Sequence, residues 1–341
     1  MHRIDPFIIQ FSDKFGIRWY GLAYVAGFLV GMFLLHRLSR KNLLAIPTSD
    51  IDNFLTWLIG GVIIGARLGY VLFYEPSLFI TFTGNFPFWG VFAINWGGMS
   101  SHGGFIGVAL AIIIYCRRHN VPYFNAGDAV VMAAPLGLFF GRMANFINGE
   151  LYGRPTDVPW AICFPTEIWT WSSDKFSSLV SRLSEMGYTF SSAEGVIRAV
   201  QENDKVAAVV RPMLTPRHPS QLYEAILEGL VLFGILWWFG NRKKRDGQVA
   251  ALFFWCYAIF RILGEQLRMP DPGIGLDWLG LTRGQWLSLL MIVAGGVIWY
   301  MSVKMPELVS DPPKKETAPE SKGGGGKSKS GHGKSRKKKH R

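Results

Sequence analysis

Three arginines stand inside apolar stretches of the sequence that are long enough to cross a bilayer. They are Arg67, Arg142 and Arg261. Charged side chains at membrane depth are costly and usually mark function. At a similar depth only Glu265 offers a clear acidic partner, so we expect the arginines to be largely unneutralised. Planar guanidinium groups match phosphate oxygens, and the arginines therefore predict an anionic ligand.

Helical spacing places further polar residues beside these arginines. Residues three or four apart share one face of a helix, so Asn145 should lie next to Arg142. The same spacing predicts a polar stripe in the sixth apolar segment, made of Tyr257, Arg261, Glu265 and Arg268. Arg261 and Glu265 also fit a structural ion pair that holds helices together. The spacing leaves both interpretations open.

A histidine near the outer end of the third apolar segment could move a proton. His102 lies in the sequence Ser-Ser-His-Gly-Gly at residues 100–104. The glycines would leave its ring accessible to a ligand. Imidazole titrates close to neutral pH, so the side chain could accept a proton from a substrate. A histidine whose hydrogen bonds are satisfied within the protein is the alternative.

A second histidine begins the fifth apolar segment, in the sequence His-Pro-Ser-Gln-Leu-Tyr-Glu at residues 218–224. Pro219 suits a first helical position, and His218 suits the cap before it. The start of a helix therefore explains both residues. It does not explain why Glu224 enters the apolar segment, and we include Glu224 among the candidate site residues.

Seven apolar segments must position these side chains. Hydrophobic residues make up 49% of the 341 residues and aromatic residues 14%. They are concentrated in stretches of about 17 to 22 residues, which match a hydrocarbon core roughly 30 Å thick. The segments are residues 20–38, 54–74, 98–116, 126–147, 222–240, 249–267 and 286–303. The sequence predicts an all-α, polytopic membrane protein with about seven transmembrane helices.

The loops between the segments alternate in charge. Lys and Arg follow the first, third, fifth and seventh segments, whereas residues 75–95 contain neither. Basic loops face the cytoplasm, so the N-terminus should lie outside and the C-terminus inside. We therefore expect helices one to four in residues 1–148, a small external head in 149–221, helices five to seven in 222–305, and a disordered basic cytoplasmic tail in 306–341.

Charge and cysteine content argue against other classes. A large part of the net charge of +12 comes from the Lys-rich residues after Pro312. Such a run is typical of a solvated tail, and no nucleic-acid partner is expected. The three cysteines show neither disulfide nor metal spacing. No cleavable signal peptide is evident, so the first apolar segment should remain as a membrane span.

One segment resembles a family signature. The sequence Gly-Arg-Met-Ala-Asn-Phe-Ile-Asn-Gly-Glu-Leu-Tyr-Gly at residues 141–153 is similar, position for position, to the signature of the bacterial phosphatidylglycerol–prolipoprotein diacylglyceryl transferase family. Further similar motifs follow the family order, at residues 19–21, 65–67, 100–104, 217–224 and 260–268. The resemblance covers roughly residues 15 to 305, and the basic tail falls outside it.

The resemblance implies a multi-pass enzyme of the bacterial inner membrane with an external head. Such an enzyme would transfer the diacylglyceryl group of phosphatidylglycerol to the lipobox cysteine thiol of a prolipoprotein. The products would be a thioether and glycerol phosphate. The resemblance implies no metal or soluble cofactor. The expected partners are the lipid donor and the prolipoprotein signal peptide with its lipobox cysteine.

The resemblance also suggests roles for the candidate residues. Arg142 and Arg261 would stabilise the charge on the leaving phosphate, and His102 would take the thiol proton, although another proton acceptor stays open. The expected substrate-binding residues are Tyr20, Arg67, Asn145, Asn148, Glu150, Gly153, His218, Glu224, Tyr257, Glu265 and Arg268.

Two other functions are compatible with intramembrane arginines. An anion or phospholipid transporter would also need them, but such folds usually contain internal repeats, and no convincing repeat relates the two halves of this chain. A purely structural scaffold is the other option, and the number of arginines inside apolar segments argues against it.

The charge pattern predicts a topology that reporter fusions can measure. A reporter fused after Arg245 should read cytoplasmic, because that loop is basic. A reporter inserted near Ser191 should read external. The opposite result at both sites would contradict the orientation and an external active site.

Overall fold

Helices make up most of the described chain. The computed structural model describes residues 1–11, 16–84, 86–94, 97–269 and 283–308, without the side chains of residues 101 and 283. The predicted basic tail therefore lies outside the described residues beyond residue 308. The all-α prediction is confirmed, because the sheets in the described part are two pairs of short strands.

The elements follow in chain order. The strands are β1 Phe7–Gln10, β2 Gly16–Arg18, β3 Ile162–Cys163 and β4 Pro216–Arg217, and they pair antiparallel as β1–β2 and β3–β4. The helices are α1 Trp19–Arg40, α2 Ile51–Phe73, α3 Ser101–His119, α4 Tyr123–Asn148, α5 Ser173–Glu185, α6 Ala193–Glu202, α7 Asp204–Val210, α8 Ser220–Glu224, α9 Leu232–Gly240, α10 Gln248–Leu267 and α11 Arg283–Val303. A π-helical segment, Ala225–Val231, joins α8 to α9.

Six helices in the described residues are long and apolar enough to cross a membrane. They are Trp19–Arg40, Thr48–Phe73, Tyr123–Asn148, Ser220–Gly240, Gln248–Leu267 and Gly284–Val303. Six of the seven predicted segments are therefore confirmed as apolar helices, within a few residues. The remaining segment forms α3, a helix of 19 residues that ends in Arg117, Arg118 and His119. A seventh span stays a prediction.

Glycines let α2 and α3 pack at backbone contact. Gly61, Gly65 and Gly69 of α2 face Gly103 and Gly107 of α3. A Cβ at Gly65 would lie 2.3 Å from the carbonyl oxygen of Gly103, and one at Gly107 would lie 2.0 Å from that of Gly61. Small residues at four-residue spacing are typical of helix contacts in membranes. The contact fixes the start of α3 against the end of α2.

A set of buried charged residues lies near the start of α4, at the opposite end of this helix from Arg142. Asp128 accepts hydrogen bonds from Lys243 Nζ at 2.9 Å, from the Gly247 amide at 2.9 Å and from the Ala250 amide at 2.8 Å. Lys243 Nζ also donates to Asp246 at 2.7 Å. The side chains of Asp128 and Lys243 are 1% and 2% exposed. These contacts connect α4 to the start of α10.

The residues between α4 and α8 include a small helical unit with its own core. Helices α5, α6 and α7 are capped by the residues that precede them, Ser172, Ser192 and Asn203, whose side chains accept hydrogen bonds from amides of the first turn. Residues 174–210 are thus mostly helical. Their apolar faces meet in a core made mainly of Ile168, Leu179, Leu183, Val196, Val200, Val206 and Val210.

A buried ion pair closes this unit near the start of α8. Arg217 of β4 places Nε 3.3 Å from Glu167 Oε2. Burial acts to raise the pKa of Glu167, but hydrogen bonds from Thr215 and Trp171, together with Arg217, hold it below its usual range. The charged carboxylate is thus stabilised where the unit joins the membrane helices.

Candidate active site

Two arginines and two glutamates from three helices form the centre of the site. Arg142 of α4 places Nη1 3.0 Å from Glu224 Oε2, and its Nη2 donates to Glu228 Oε2 at 3.1 Å. Arg261 of α10 donates through Nη1 to Glu224 Oε1 at 3.1 Å and lies 3.7 Å from Glu228 Oε1. Each carboxylate therefore bridges the two guanidinium groups. We call these four residues the arginine–glutamate cluster.

The predicted polar stripe of α10 flanks this cluster. Arg261 Nη2 lies 3.0 Å from Glu265 Oε2, one turn further along α10. Arg268 Nη1 lies 4.0 Å from Glu224 Oε1. Tyr257, one turn before Arg261, interacts electrostatically with the charges of the cluster. The structure thus brings the four stripe residues to one region, as their spacing predicts.

The helix that carries both glutamates departs from α geometry directly after Glu224, in the segment that contains Glu228. The segment Ala225–Val231 has π-helical turns, which are rare and often occur at functional sites. Gly229 in this segment packs on α4, where a Cβ would lie 2.7 Å from the Cβ of Phe139. This close approach brings Glu228 within hydrogen-bonding distance of Arg142.

The expectation that the arginines lack acidic partners is wrong for Arg142 and Arg261. Arg142 and Arg261 are paired with Glu224 and Glu228, whose charges offset the cost of burying the guanidinium groups in a medium of low dielectric constant. Sequence reasoning counted only Glu265 as a clear acidic partner at a similar depth, and it overlooked Glu228. The signal was available, since Glu228 follows Glu224 by four residues inside an apolar segment.

Exposure separates the arginines from the glutamates. The side chains of Arg142 and Arg261 are 15% and 16% exposed, whereas those of Glu224 and Glu228 are 1% and 0% exposed. The arginine side chains are therefore partly accessible, whereas the two carboxylates are not. An incoming anion would reach the arginines before the glutamates, and its oxygens would compete with the carboxylates for the guanidinium N–H groups.

The signature residues after Arg142 build a second polar group beside the cluster. Glu150 Oε1 accepts hydrogen bonds from Asn145 Nδ2 at 2.9 Å and from Asn148 Nδ2 at 3.2 Å. Gln221 Nε2 donates to the Glu150 carbonyl oxygen at 2.7 Å. The phenol of Tyr20, in the first turn of α1, interacts with Asn145. Sequence reasoning found the first three residues and Tyr20 but missed Gln221, which shares a motif with Glu224.

Gly153 and His218 hold three chain segments together. The Gly153 amide donates to the His218 carbonyl at 2.9 Å, and the His218 amide donates to the Arg154 carbonyl at 3.1 Å. A Cβ at Gly153 would lie 2.6 Å from the Leu267 carbonyl oxygen. Glycine is therefore required by the close backbone approach. The His218 ring lies 3.4 Å from the Tyr223 hydroxyl.

Arg67 is bound to a loop rather than to the cluster. Its side chain is buried, and its Nε donates to the carbonyl of Val91 at 2.9 Å. Its two Nη atoms donate to carbonyls of Gly90, Gly97 and Gly98. These bonds hold the loop between α2 and α3 and use the donors that were expected to bind substrate. Carbonyl dipoles thus stabilise this guanidinium, and no acidic side chain in the described part of the chain pairs with it.

His102 lies in the first turn of α3, which Ser100 caps by accepting a hydrogen bond from the Gly103 amide. The histidine is exposed. In the described part of the chain it forms no hydrogen bond or ion pair, with the arginine–glutamate cluster or elsewhere. The expected accessibility of this residue is confirmed, while its role as a proton acceptor stays a prediction.

Comparison with known proteins assigns the chain to a family. Residues 6–301 match the sequence model of the family described as prolipoprotein diacylglyceryl transferase. The chain belongs to this family. It is 40% identical over 338 residues to a phosphatidylglycerol–prolipoprotein diacylglyceryl transferase of Bdellovibrio bacteriovorus, with 90% of this chain and 96% of the relative covered.

Other relatives with the same name are similar to comparable degrees. One from Rhodospirillum rubrum is 41% identical over 305 residues, with 88% of this chain and 92% of the relative covered. One from Neisseria gonorrhoeae is 40% identical over 297 residues, with 86% of this chain and 94% of the relative covered. Family membership confirms the resemblance based on the signature at residues 141–153.

The loop contacts of Arg67 predict a structural role that a substitution can test. Arg67→Lys loses the fork that reaches several carbonyls and should lower the free energy of unfolding by at least about 2 kcal/mol. The measurement is the thermal midpoint in detergent. The control is Arg117→Lys, which changes an exposed arginine in the last turn of α3. An unchanged midpoint with weakened lipid binding would show that Arg67 contacts the ligand instead.

Proposed function

We propose that this chain transfers the diacylglyceryl group of phosphatidylglycerol to the lipobox cysteine of prolipoproteins. Membership in the prolipoprotein diacylglyceryl transferase family supports the activity. The observation that carries the mechanism is the pair Arg142 and Arg261, whose side chains are partly exposed and whose guanidinium groups are held side by side by two buried carboxylates. Such a pair suits a ligand with a phosphate group.

The transfer needs little more than charge stabilisation and removal of one proton. The cysteine sulfur attacks the carbon of the diacylglyceryl group that carries the phosphate, and the bond between this carbon and the phosphate oxygen breaks. The bonding electrons leave on the phosphate oxygen of glycerol phosphate, while the thiol proton goes to a base. Preorganised donors that face the developing negative charge usually supply the largest part of such catalysis.

The phosphate would bind in front of the arginine–glutamate cluster. Phosphate oxygens would take N–H donors of Arg142 and Arg261 on their exposed sides. The neighbouring amides around Glu150, together with Tyr20, are placed to contact the polar headgroup. Glu265 and Arg268 border the same region, and Gly153 and His218 fix the backbone that encloses it.

The thiol proton would pass to His102 or to another acceptor near the phosphate. A thiol with an ordinary pKa of about 8.5 is mostly protonated at pH 7 and attacks slowly. An exposed imidazole can remove that proton. If α1 to α4 all cross the membrane, the start of α3 and the end of α4 lie on the same side, which would place His102 on the side of Arg142.

The proposal includes a specific membrane arrangement. Helix α3 would be the seventh span, and the unit between α4 and α8 would be an external head in which the prolipoprotein can approach the site. The protein would lie in the bacterial inner membrane with its N-terminus outside. Loop charges support this orientation.

If Arg142 binds the phosphate through both of its terminal nitrogens, a substitution that keeps the positive charge should still lose activity. Arg142→Lys keeps a positive charge but loses the bidentate fork, so transfer should fall to a small fraction of the wild-type rate. The measurement uses labelled phosphatidylglycerol and a lipobox peptide, with Arg117→Lys as the matched control. Wild-type turnover by Arg142→Lys would contradict the assignment.

The role of His102 predicts a change in pH dependence. His102→Gln should lower the rate at pH 7 by roughly 10² to 10⁴ and regain activity at higher pH as the thiol ionises without help. Rates from about pH 6.5 to 9.5, which bracket the ordinary thiol pKa, should be compared with those of wild type and of His119→Gln, which changes a histidine at the far end of α3. Parallel profiles for wild type and His102→Gln would rule out His102 as the base.

A further inference from the structure

Glu228 lies behind the two arginines and has no contact with the exterior. Its side chain is 0% exposed. Its Oε2 accepts a hydrogen bond from Arg142 Nη2 at 3.1 Å, and its Oε1 lies 3.7 Å from Arg261 Nη1. One rigid carboxylate therefore spans two guanidinium groups that belong to different helices. This position suits a residue that acts through the arginines rather than on a ligand.

The other acids around Arg261 have different positions. Glu224 also contacts both arginines, but it is shared with Arg268 at 4.0 Å. Glu265 contacts Arg261 alone among these arginines, from the same helix. Of the acids in the described residues, Glu228 is thus the one whose ion pairs go to Arg142 and Arg261 and to no third arginine.

The charges around Glu228 can be counted from each packed element. Helix α4 contributes Arg142, α10 contributes Arg261 and the phenol of Tyr257, and its own helix contributes Glu224. In their usual ionised forms, the two arginines and two glutamates of the cluster sum to zero. Loss of the Glu228 charge would leave one positive charge in excess beside the guanidinium faces.

We propose that Glu228 is a positioning residue, which fixes the distance between the guanidinium groups of Arg142 and Arg261 and tempers their affinity for the donor phosphate. The inference rests on the proposed function and adds a residue that the signature at 141–153 does not contain. These two roles predict different effects of replacing Glu228, one on binding and one on catalysis. Excess positive charge strengthens phosphate binding, whereas lost alignment slows the step in which the phosphate leaves.

Glu228→Gln separates these effects because it keeps the shape and removes the charge. We expect kcat to fall by about 10- to 100-fold, the usual cost of losing a partner that orients a contacting residue. We expect KM for phosphatidylglycerol to fall as well, by roughly threefold or more, because a carboxylate no longer competes for the donors. A combined fall of kcat and KM is the mark of tighter ground-state binding with a poorer transition state.

A second variant keeps the negative charge and changes the length of the side chain. Glu228→Asp shortens the side chain by one methylene, so kcat should fall while KM for the donor stays near the wild-type value. Glu185→Gln, which removes an exposed charge from α5, is the matched control and should leave both constants unchanged. Thermal midpoints measured for each variant show whether the protein is folded.

The experiment uses the full chain in nanodiscs that contain phosphatidylglycerol, with a lipobox peptide as acceptor. A parallel measurement of glycerol phosphate affinity does not require transfer, and Glu228→Gln should bind this probe more tightly than wild type. If the wild-type chain shows no transfer, the proposed function is wrong. The comparison of glycerol phosphate affinities between wild type and Glu228→Gln would still test the role of Glu228. Wild-type kcat in Glu228→Gln, or weaker binding of the probe to it, would overturn the inference.

Discussion

Neutralisation of Arg142 and Arg261, whose side chains are mostly buried, is the constraint on which the rest of the site depends. Removing one partner of a buried ion pair leaves an uncompensated charge and is strongly destabilising. Helices α4 and α10 and the helix Ser220–Gly240 must therefore meet where Glu224 and Glu228 can reach both arginines. The π-helical turns and Gly229 allow that approach. The two carboxylates therefore fix the positions of the guanidinium groups before any ligand binds to them.

Buried charge alone does not identify a functional site in this chain. Asp128 and Lys243 are at least as deeply buried as the arginines, yet backbone amides and Asp246 satisfy them, and both side chains are closed to solvent. Their contacts connect helices and leave no face for a ligand. The arginine–glutamate cluster differs because its cations remain partly exposed while its anions do not. Access, rather than the presence of charge, distinguishes the two sets.

The second part of the proposed chemistry depends on a different pair of helices. Glycine contacts hold the start of α3 against the end of α2, and Arg67 fixes the loop between them through carbonyl hydrogen bonds. His102 thus stands on a rigid support, although nothing in the described residues ties its ring to the arginines. A proton acceptor and a phosphate site on separate helix pairs would leave room between them for a peptide thiol and a lipid.

The sequence by itself determined the features that depend on local spacing. Apolar segments of sufficient length gave six of the helices, and spacing of three or four residues placed Asn145 beside Arg142 and Glu265 beside Arg261. Only the tertiary structure decided which acids neutralise which arginines. Glu228 and Arg142 are 86 residues apart in sequence, and Glu224 and Arg261 are 37 apart. Such pairings depend on how helices cross, and no local pattern encodes that crossing. Arg67 shows the same limit, because its partners are backbone carbonyls, which every residue possesses and no side-chain pattern reveals.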